Sequence, residues 1–374
     1  MTTRRHSLLQ LGAAAVCAAG RHALAQVFPG EPHQYPVADP DYRLSFPRDF
    51  GAHTGFRTEW WYLTGWLDDR MGFQVTFFRV RTSHPDENPS RFAPTQLLFA
   101  HAALMRPENR RALHAQRAGR AGSPGVQYAV DDTDVRLGDW RLLRQPDDRY
   151  RVVIRDQAFS LDLLLTPPGR PGDATRQPWL QGTNGFSRKG PLPDQASHYY
   201  SRVQLQVSGQ VDDKAVRGVA WFDHEWSTTV LDPAAEGWDW TGINLDDGSA
   251  LVAFRIRRGR DSPGTAGPDA GPLWTYCALR HPDGRTEEIA PVAFDVIRNW
   301  QSPRTLATYP VAMALELPGR RLRLDPLFDD QELDSRGSTG TIYWEGAVRV
   351  LDAQGRRTGL GYLELTGYHT PMKL

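Results

Sequence analysis

The sequence predicts an all-β protein of two tandem barrel or sandwich domains related by an internal repeat, and three observations carry that expectation. Apolar and polar residues alternate with a period of two in segments such as Arg202-Val203-Gln204-Leu205-Gln206-Val207 and Tyr150 to Ile154, the pattern of half-buried strands. No window of a dozen or more residues carries a helical apolar stripe, and Gly, Pro and Asp punctuate the strands, so helix content is expected to be low. The third observation is the repeat. Trp61-Tyr62-Leu63-Thr64-Gly65, Asp68-Asp69 and Phe78-Arg79-Val80-Arg81 recur as Trp238-Asp239-Trp240-Thr241-Gly242, Asp246-Asp247 and Phe254-Arg255-Ile256-Arg257.

Each copy reads as strand, Asp-rich tight turn, strand, with Gly72 and Gly248 easing the bend. The ends of the two halves also match: Gly218-Val-Ala-Trp-Phe-Asp-His-Glu-Trp226 parallels Gly359-Leu-Gly-Tyr-Leu-Glu-Leu-Thr-Gly-Tyr368. The boundaries that follow are 42–228 for the first domain and 229–374 for the second. Residues 26–41 form an N-terminal extension. The stretches Pro167 to Gly172 and Ser262 to Pro272 are rich in Pro and Gly and read as loops.

Residues 1–25 read as a signal peptide of the twin-arginine type. Arg4 and Arg5 precede an apolar stretch, Leu8 to Ala19, that is too short to span a bilayer, and Ala23-Leu24-Ala25 supplies a small-residue cleavage site. The expected location is periplasmic or secreted. The mature chain then keeps only Cys277, so no intrachain disulfide forms and stability rests on burial. Lysine plus arginine (44) balance aspartate plus glutamate (44), which gives no nucleic-acid footprint. No second apolar segment approaches the ~20 residues of a membrane helix. Contact with a membrane surface is left open.

Several motifs carry a family resemblance. Glu59-Trp60-Trp61-Tyr62, Phe99-Ala100-His101-Ala102, Gly185 to Gly190, Ser197-His198-Tyr199-Tyr200-Ser201, Asp223-His224-Glu225-Trp226 and Gly361 to Tyr368 together resemble the carotenoid 1,2-hydratase (hydroxyneurosporene synthase) family, and most closely its secreted, lipocalin-like branch. The resemblance spans nearly the whole mature chain. It implies two lipocalin-like barrels with a cleft at or between them, and a hydro-lyase that adds water to an isoprenoid or similar apolar substrate without metal or cofactor.

That reaction needs an acid to protonate carbon, aromatic faces to steady a cation, and a base to direct water. On a regular strand Asp223 and Glu225 face one side while His224 and Trp226 face the other. The resemblance favours His224 and Trp226 as cavity residues. Asp239, between Trp238 and Trp240, is a candidate proton donor. The expected catalytic set is therefore Asp239, His224 and Asp223, with Trp226, Trp238, Trp240, Glu59, Trp61, His101, His198 and Tyr200 as substrate-binding candidates. Glu59 calls for a cationic partner such as Arg188, since a carboxylate among aromatics seldom goes unpaired.

His101, His198 and His224 lie on different strands without metal-ligand spacing, so no metal is expected. Ser197 lacks the sharp Gly-x-Ser-x-Gly turn of a serine nucleophile. Two other classes compete with the hydratase reading: a non-catalytic exported lipocalin-like carrier of a hydrophobic ligand, and an interaction protein whose aromatic strands only join two domains.

Overall fold

The structure, a computed structural model, describes residues 33–372 apart from 86, 88–89, 91–92, 230 and 260–270. The signal segment 1–25, the first part of the extension and most of the Ser262 to Pro272 loop lie outside the described residues. A small separate unit comprises, among the described residues, 33–34 and those of Thr82–Thr95, and within it His33 N–H donates to the Ser83 carbonyl. Everything below concerns the larger unit, Tyr35–Arg81 with residues from Gln96 onward.

That unit is all-β, with 3-10 turns at Arg48–Phe50, Pro107–Asn109 and Ala174–Arg176. The first of two sheets holds β1 Thr58–Leu67, β2 Met71–Arg81, β3 Gln96–Met105, β4 Leu113–Arg120, β5 Val126–Tyr128, β6 Asp134–Leu137, β7 Trp140–Arg144, β8 Tyr150–Arg155, β9 Ser160–Thr166, β10 Trp179–Leu180, β11 Phe186–Arg188, β12 Ala196–Val211 and β13 Lys214–Ser227. The second holds β14 Ala235–Leu245, β15 Ala250–Arg258, β16 Trp274–Arg280, β17 Thr286–Glu288, β18 Ala293–Gln301, β19 Thr308–Leu317, β20 Arg320–Pro326, β21 Glu332–Ser335, β22 Thr341–Leu351 and β23 Arg357–Leu365.

The strand orders are the same. From β4, the first sheet runs β3, β2, β1, β13, β12, β9, β8, β7; from β17, the second runs β16, β15, β14, β23, β22, β20, β19, β18. In each, the first strand pairs with the last. The next strand in, β12 or β22, is long enough to pair with short strands at one end and a full neighbour at the other. The tandem repeat is thus a repeat of topology. The first sheet also curls toward closure: Gly119 on β4 lies against Val126 and Leu137, and Arg117 donates to the Leu137 carbonyl.

Strand parity separates three interiors. Trp61, Leu63, Phe77, Phe222 and Trp226 fill the first barrel, and Ile243, Leu251, Trp344, Leu363 and Leu365 fill the second. Residues of opposite parity, Tyr62, Trp66, Trp221, Trp240, Phe254, Tyr343 and Tyr362, form a third core where the outer faces of the two sheets meet. Strands β1, β13, β14 and β23 are therefore covered on both faces and lack a polar side, whereas outlying β8 keeps strict alternation.

Parity also fixes the register of the repeat. Trp61 faces the first barrel's interior, while Trp238 lies on the joint between the sheets, so an alignment that equates them sets the faces out of phase. Shifting by one residue restores the faces and makes Trp240 the counterpart of Tyr62. The matching strand ends agree: Tyr62 pairs with Asp223 across β1 and β13, and Trp240 pairs with Glu364 across β14 and β23.

Candidate active site

The residues singled out in the sequence divide among three places. Glu59, Trp61, His198, Tyr200, His224 and Trp226 gather inside the first barrel. Asp223, Trp238, Trp240 and His101 lie between the sheets, and Asp239 points into the second barrel.

Inside the first barrel the centre is Glu59, an ion-paired carboxylate. Its Oε2 accepts from Arg79 Nε at 2.7 Å, and its Oε1 lies 2.8 Å from His53 Nδ1 and 2.9 Å from His224 Nε2. Arg79 supplies the cationic partner. Arg188 instead donates to the Gly190 and Pro191 carbonyls and covers the Trp274 ring. Burial opposes ionisation of Glu59, but the Arg79 charge and the two imidazoles hold it well below the usual carboxylate range. Burial likewise opposes a proton on His53, yet Asp49 and Glu59 reverse that and raise its pKa. Its ring stacks on Trp226 at 3.5 Å.

His224 is different. Burial, only partly offset by Glu59, pushes it down to about 4, so it is neutral at pH 7, with Nδ1 3.0 Å from the Tyr200 hydroxyl. Among the described residues, His53, Glu59 and His224 form the one group whose ligand atoms fall close enough for a metal ion, within 4.8 Å of one another. Each of these atoms already has a hydrogen-bond partner within the cluster, and His101 and His198 are not part of it. Beside the cluster, Phe46 and Phe50 lie edge-on to Tyr200, and the Tyr42 hydroxyl donates to Asp49 Oδ1 at 2.8 Å.

Asp239 has the same design in the second barrel. It pairs across β14 and β15 with Arg255, whose Nε is 2.6 Å away, and also meets Arg257 Nε at 3.1 Å and the Tyr368 hydroxyl at 3.0 Å. Two guanidinium groups hold this carboxylate, and the indoles of Trp238 and Trp240 point to the opposite face.

The joint between the sheets carries a different chemistry. Asp223 is buried, and its partners are neutral: Ser201 Oγ at 2.6 Å and Trp221 Nε1 at 2.7 Å donate to Oδ1, and the Tyr199 hydroxyl at 2.7 Å donates to Oδ2. Burial outweighs those three hydrogen bonds and, with the nearby Glu225, raises Asp223 from 3.8 to about 7. Around it stand Tyr62 edge-on to Trp240 at 5.2 Å, Trp221 edge-on to Trp240 at 6.0 Å, and Trp240 Nε1 donating to the Tyr199 hydroxyl. Gly242 makes room for this packing, because a Cβ there would come 2.5 Å from the Trp240 ring and 2.9 Å from Trp221.

Glu225, two residues along the same face, is paired with Lys189 at 3.0 Å, and the Lys189 ammonium sits over the rings of Phe254 and Tyr199. His101 crosses from β3 to bond the Tyr343 hydroxyl at 2.8 Å and Ser338 Oγ at 2.9 Å; burial lowers it to about 3, so it is neutral. Trp60, Trp238 and Glu364 remain partly accessible on this face, whereas Tyr62, Trp221, Trp240, Tyr343 and Tyr362 are buried there. At one edge a groove of about 360 Å³ runs between Gln177, Trp179 and Gly182 of the first half and Arg280 and Thr286 of the second. Its Trp179 ring is edge-on to Trp221, the donor to Asp223.

Tyr199, Ser201 and Glu364 lie within motifs read from the sequence but carried no assigned role there, and Glu345 lies outside those motifs. A signal for Glu364 was present, since aligning Gly218 to Trp226 with Gly359 onward sets Asp223 against Glu364.

Together these features define a tandem β-barrel protein with an acidic, aromatic-rich joint between its sheets. The chain matches the AttH-like family over residues 37–368 and belongs to that family. It is similar to the crystal structure of a protein assigned as AttH (NE1406) from Nitrosomonas europaea, with 46% identity, a TM-score of 0.79, and coverage of 89% of this chain and 99% of that one. It also shares the fold of kievitone hydratase from Nectria haematococca, at 15% identity and a TM-score of 0.62, over 92% of this chain and 99% of that one. No curated protein matches it.

Proposed function

We propose that this protein is a hydratase of an apolar, unsaturated substrate, acting by acid catalysis in the cleft between its two sheets. The observation that carries the reading is Asp223: a buried carboxyl with only neutral partners, ringed by Trp221, Trp240, Tyr62 and Tyr199. A carboxylic acid that keeps its proton up to about pH 7 can protonate an alkene carbon near neutrality. A substrate drawn between these rings would set its tertiary carbocation against their faces, and burial excludes the bulk water that would level the acid. By contrast, Asp239 and Glu59 are locked to arginines and are assigned to holding the barrels. His224 is assigned to the Glu59 network.

Kinship in fold with a hydratase supports the reaction class, and the motifs shared with the carotenoid 1,2-hydratase family point to a terminally unsaturated isoprenoid as substrate. The twin-arginine-type leader supports action outside the cytoplasm, on a lipid-like molecule that reaches the periplasm. The test is incubation of the purified protein with neurosporene. Conversion to a product heavier by one water, lost in Asp223→Asn and retained in Asp239→Asn if that variant folds, is expected. Recovery of bound but unchanged neurosporene would replace the hydratase with a carrier.

A further inference from the structure

A row of register-matched positions crosses the joint. Asp223 and Tyr62 are cross-strand partners in the first sheet, and Trp240, Glu364 and Glu345 are successive cross-strand partners in the second. The Tyr62 and Trp240 rings touch edge to face where the two halves of the row meet. Glu345 and Glu364 sit directly opposite one another on β22 and β23, and both face the joint, as do Tyr343, Ala347 and Tyr362 of the same parity.

Unlike most buried carboxylates among the described residues, and like Asp223, this pair has no cation beside it; Glu345 is buried and Glu364 partly accessible. Glu59 has Arg79, Asp239 has Arg255 and Arg257, Glu225 has Lys189, and Glu332 has Arg304. Among the described residues, neither Glu345 nor Glu364 has an ion-pair partner, and Glu345 Oε1 has no hydrogen-bond partner at all. The groups facing them are Tyr62 from β1, Asp223 and Glu225 from β13, Trp238 and Trp240 from β14, and Tyr343 and Tyr362 from their own strands. Asp239 acts on Glu364 from behind β14. None of these is a cation. Directly opposed residues of adjacent strands have Cβ atoms about 5 Å apart, and two carboxylates that close in a low-dielectric site do not both ionise.

We propose that Glu345 and Glu364 hold one proton between them and that, resting on the hydration reading of the cleft, their ionised carboxylate is the base that accepts the proton of the attacking water. The step balances. Asp223 gives its proton to the alkene carbon, the π pair becomes the new C–H bond, and the adjacent carbon is left cationic. A lone pair of water forms the C–O bond, and the proton it sheds goes to the carboxylate of the pair. One proton then returns from the doubly protonated pair to Asp223, which closes the cycle. Burial and mutual repulsion both raise Glu345, and burial with Glu225 and Asp223 raises Glu364, in line with a pair that titrates as a unit.

The experiment is a pH titration of the full chain carrying carbon-13 in its glutamate carboxyls, followed by NMR, together with turnover of neurosporene. Two well-separated steps for Glu345 and Glu364 are expected, with one proton retained at neutral pH. In Glu345→Gln the Glu364 signal should titrate at lower pH than the upper step of the wild type. Two ionised carboxylates at pH 7, or a Glu364 titration unmoved by Glu345→Gln, would overturn the proposal. Glu364→Gln should bind neurosporene yet lose roughly 10²-fold or more in rate, and Glu345→Gln, which takes away the shared proton that favours the ionised base, should move the acidic limb of the rate profile to higher pH. Full turnover in both Gln variants would overturn the catalytic role. A wild type that titrates in two steps but never hydrates neurosporene would support the shared proton and refute the hydratase reading instead. The double variant Glu345→Gln/Glu364→Gln removes buried charge at constant shape, and thermal unfolding of that protein checks that the fold persists.

Discussion

Replacing Asp223 with Asn separates an acid held for chemistry from a carboxylate held for stability. Asp223 rises from 3.8 to about 7 in the folded protein, chiefly through burial. Because its folded value lies above its unfolded one, stability from this group is complete below about pH 4, where both states hold the proton. Between about pH 4 and 7 the unfolded chain ionises while the folded protein stays protonated, so stability falls as pH rises. At about 1.4 kcal/mol per pH unit, a window of about three units amounts to about 4 kcal/mol. Asparagine keeps the shape, and its Oδ1 can accept from Ser201 and Trp221, but it carries no titratable proton. Denaturant unfolding of both proteins at several pH values isolates the effect, since titrations elsewhere cancel in the difference. The unfolding free energy of Asp223→Asn minus that of the wild type should climb by up to about 4 kcal/mol from pH 4 to 8 and then level off. A difference that stays flat, or that moves in favour of the wild type as pH rises, would mean an ionised, stabilising Asp223 and would refute the reasoning.

Three further predictions follow from the same geometry. Glu59→Gln leaves the buried Arg79 charge with neutral acceptors alone, Gln96 Oε1 and the His53 and Phe56 carbonyls, and should cost about 3–5 kcal/mol by denaturant unfolding; a cost under about 1 kcal/mol would show that those acceptors suffice. His101, lowered from 6.5 to about 3 by burial, contributes stability that is full above pH 6.5 and is lost as pH falls toward 3, so His101→Gln should flatten the acid side of the stability profile. An unchanged acid slope would contradict its neutral, buried state. Cys277 is fully buried, and burial pushes its thiol up to about 12, so a thiol-specific reagent should label it only on unfolding; prompt labelling of native protein would contradict its place in the second barrel.

The strands and the tandem repeat were legible because a period of two and an Asp-marked hairpin are local signals. The face of each strand was harder to read. Where both sides of β1, β13, β14 and β23 are covered, no polar side marks which residues look inward, and Trp-rich runs align equally well in two registers. That is why Tyr62 seemed to correspond to Asp239, although strand pairing matches it with Trp240. The Asp223-His224-Glu225-Trp226 motif was visible as chemistry, and strand parity correctly separated its two faces. The sequence had no means of showing that one face meets Glu59 in a barrel while the other meets a second sheet. Arg79 as the partner of Glu59, and Glu345 beside Glu364, depend on the exact register of the β1–β2 and β22–β23 hairpins, which the alternation of residues alone does not set.

On the proposed function, the reacting substrate lies between the sheets and the first barrel holds a structural network. A crystal structure with a terminally unsaturated isoprenoid soaked or co-crystallised tests that directly. Density should run between Tyr62, Trp238 and Trp240, with its unsaturated end against Asp223 and Glu364. Density inside the first barrel against His224 and Trp226, with the joint between the sheets closed, would contradict it.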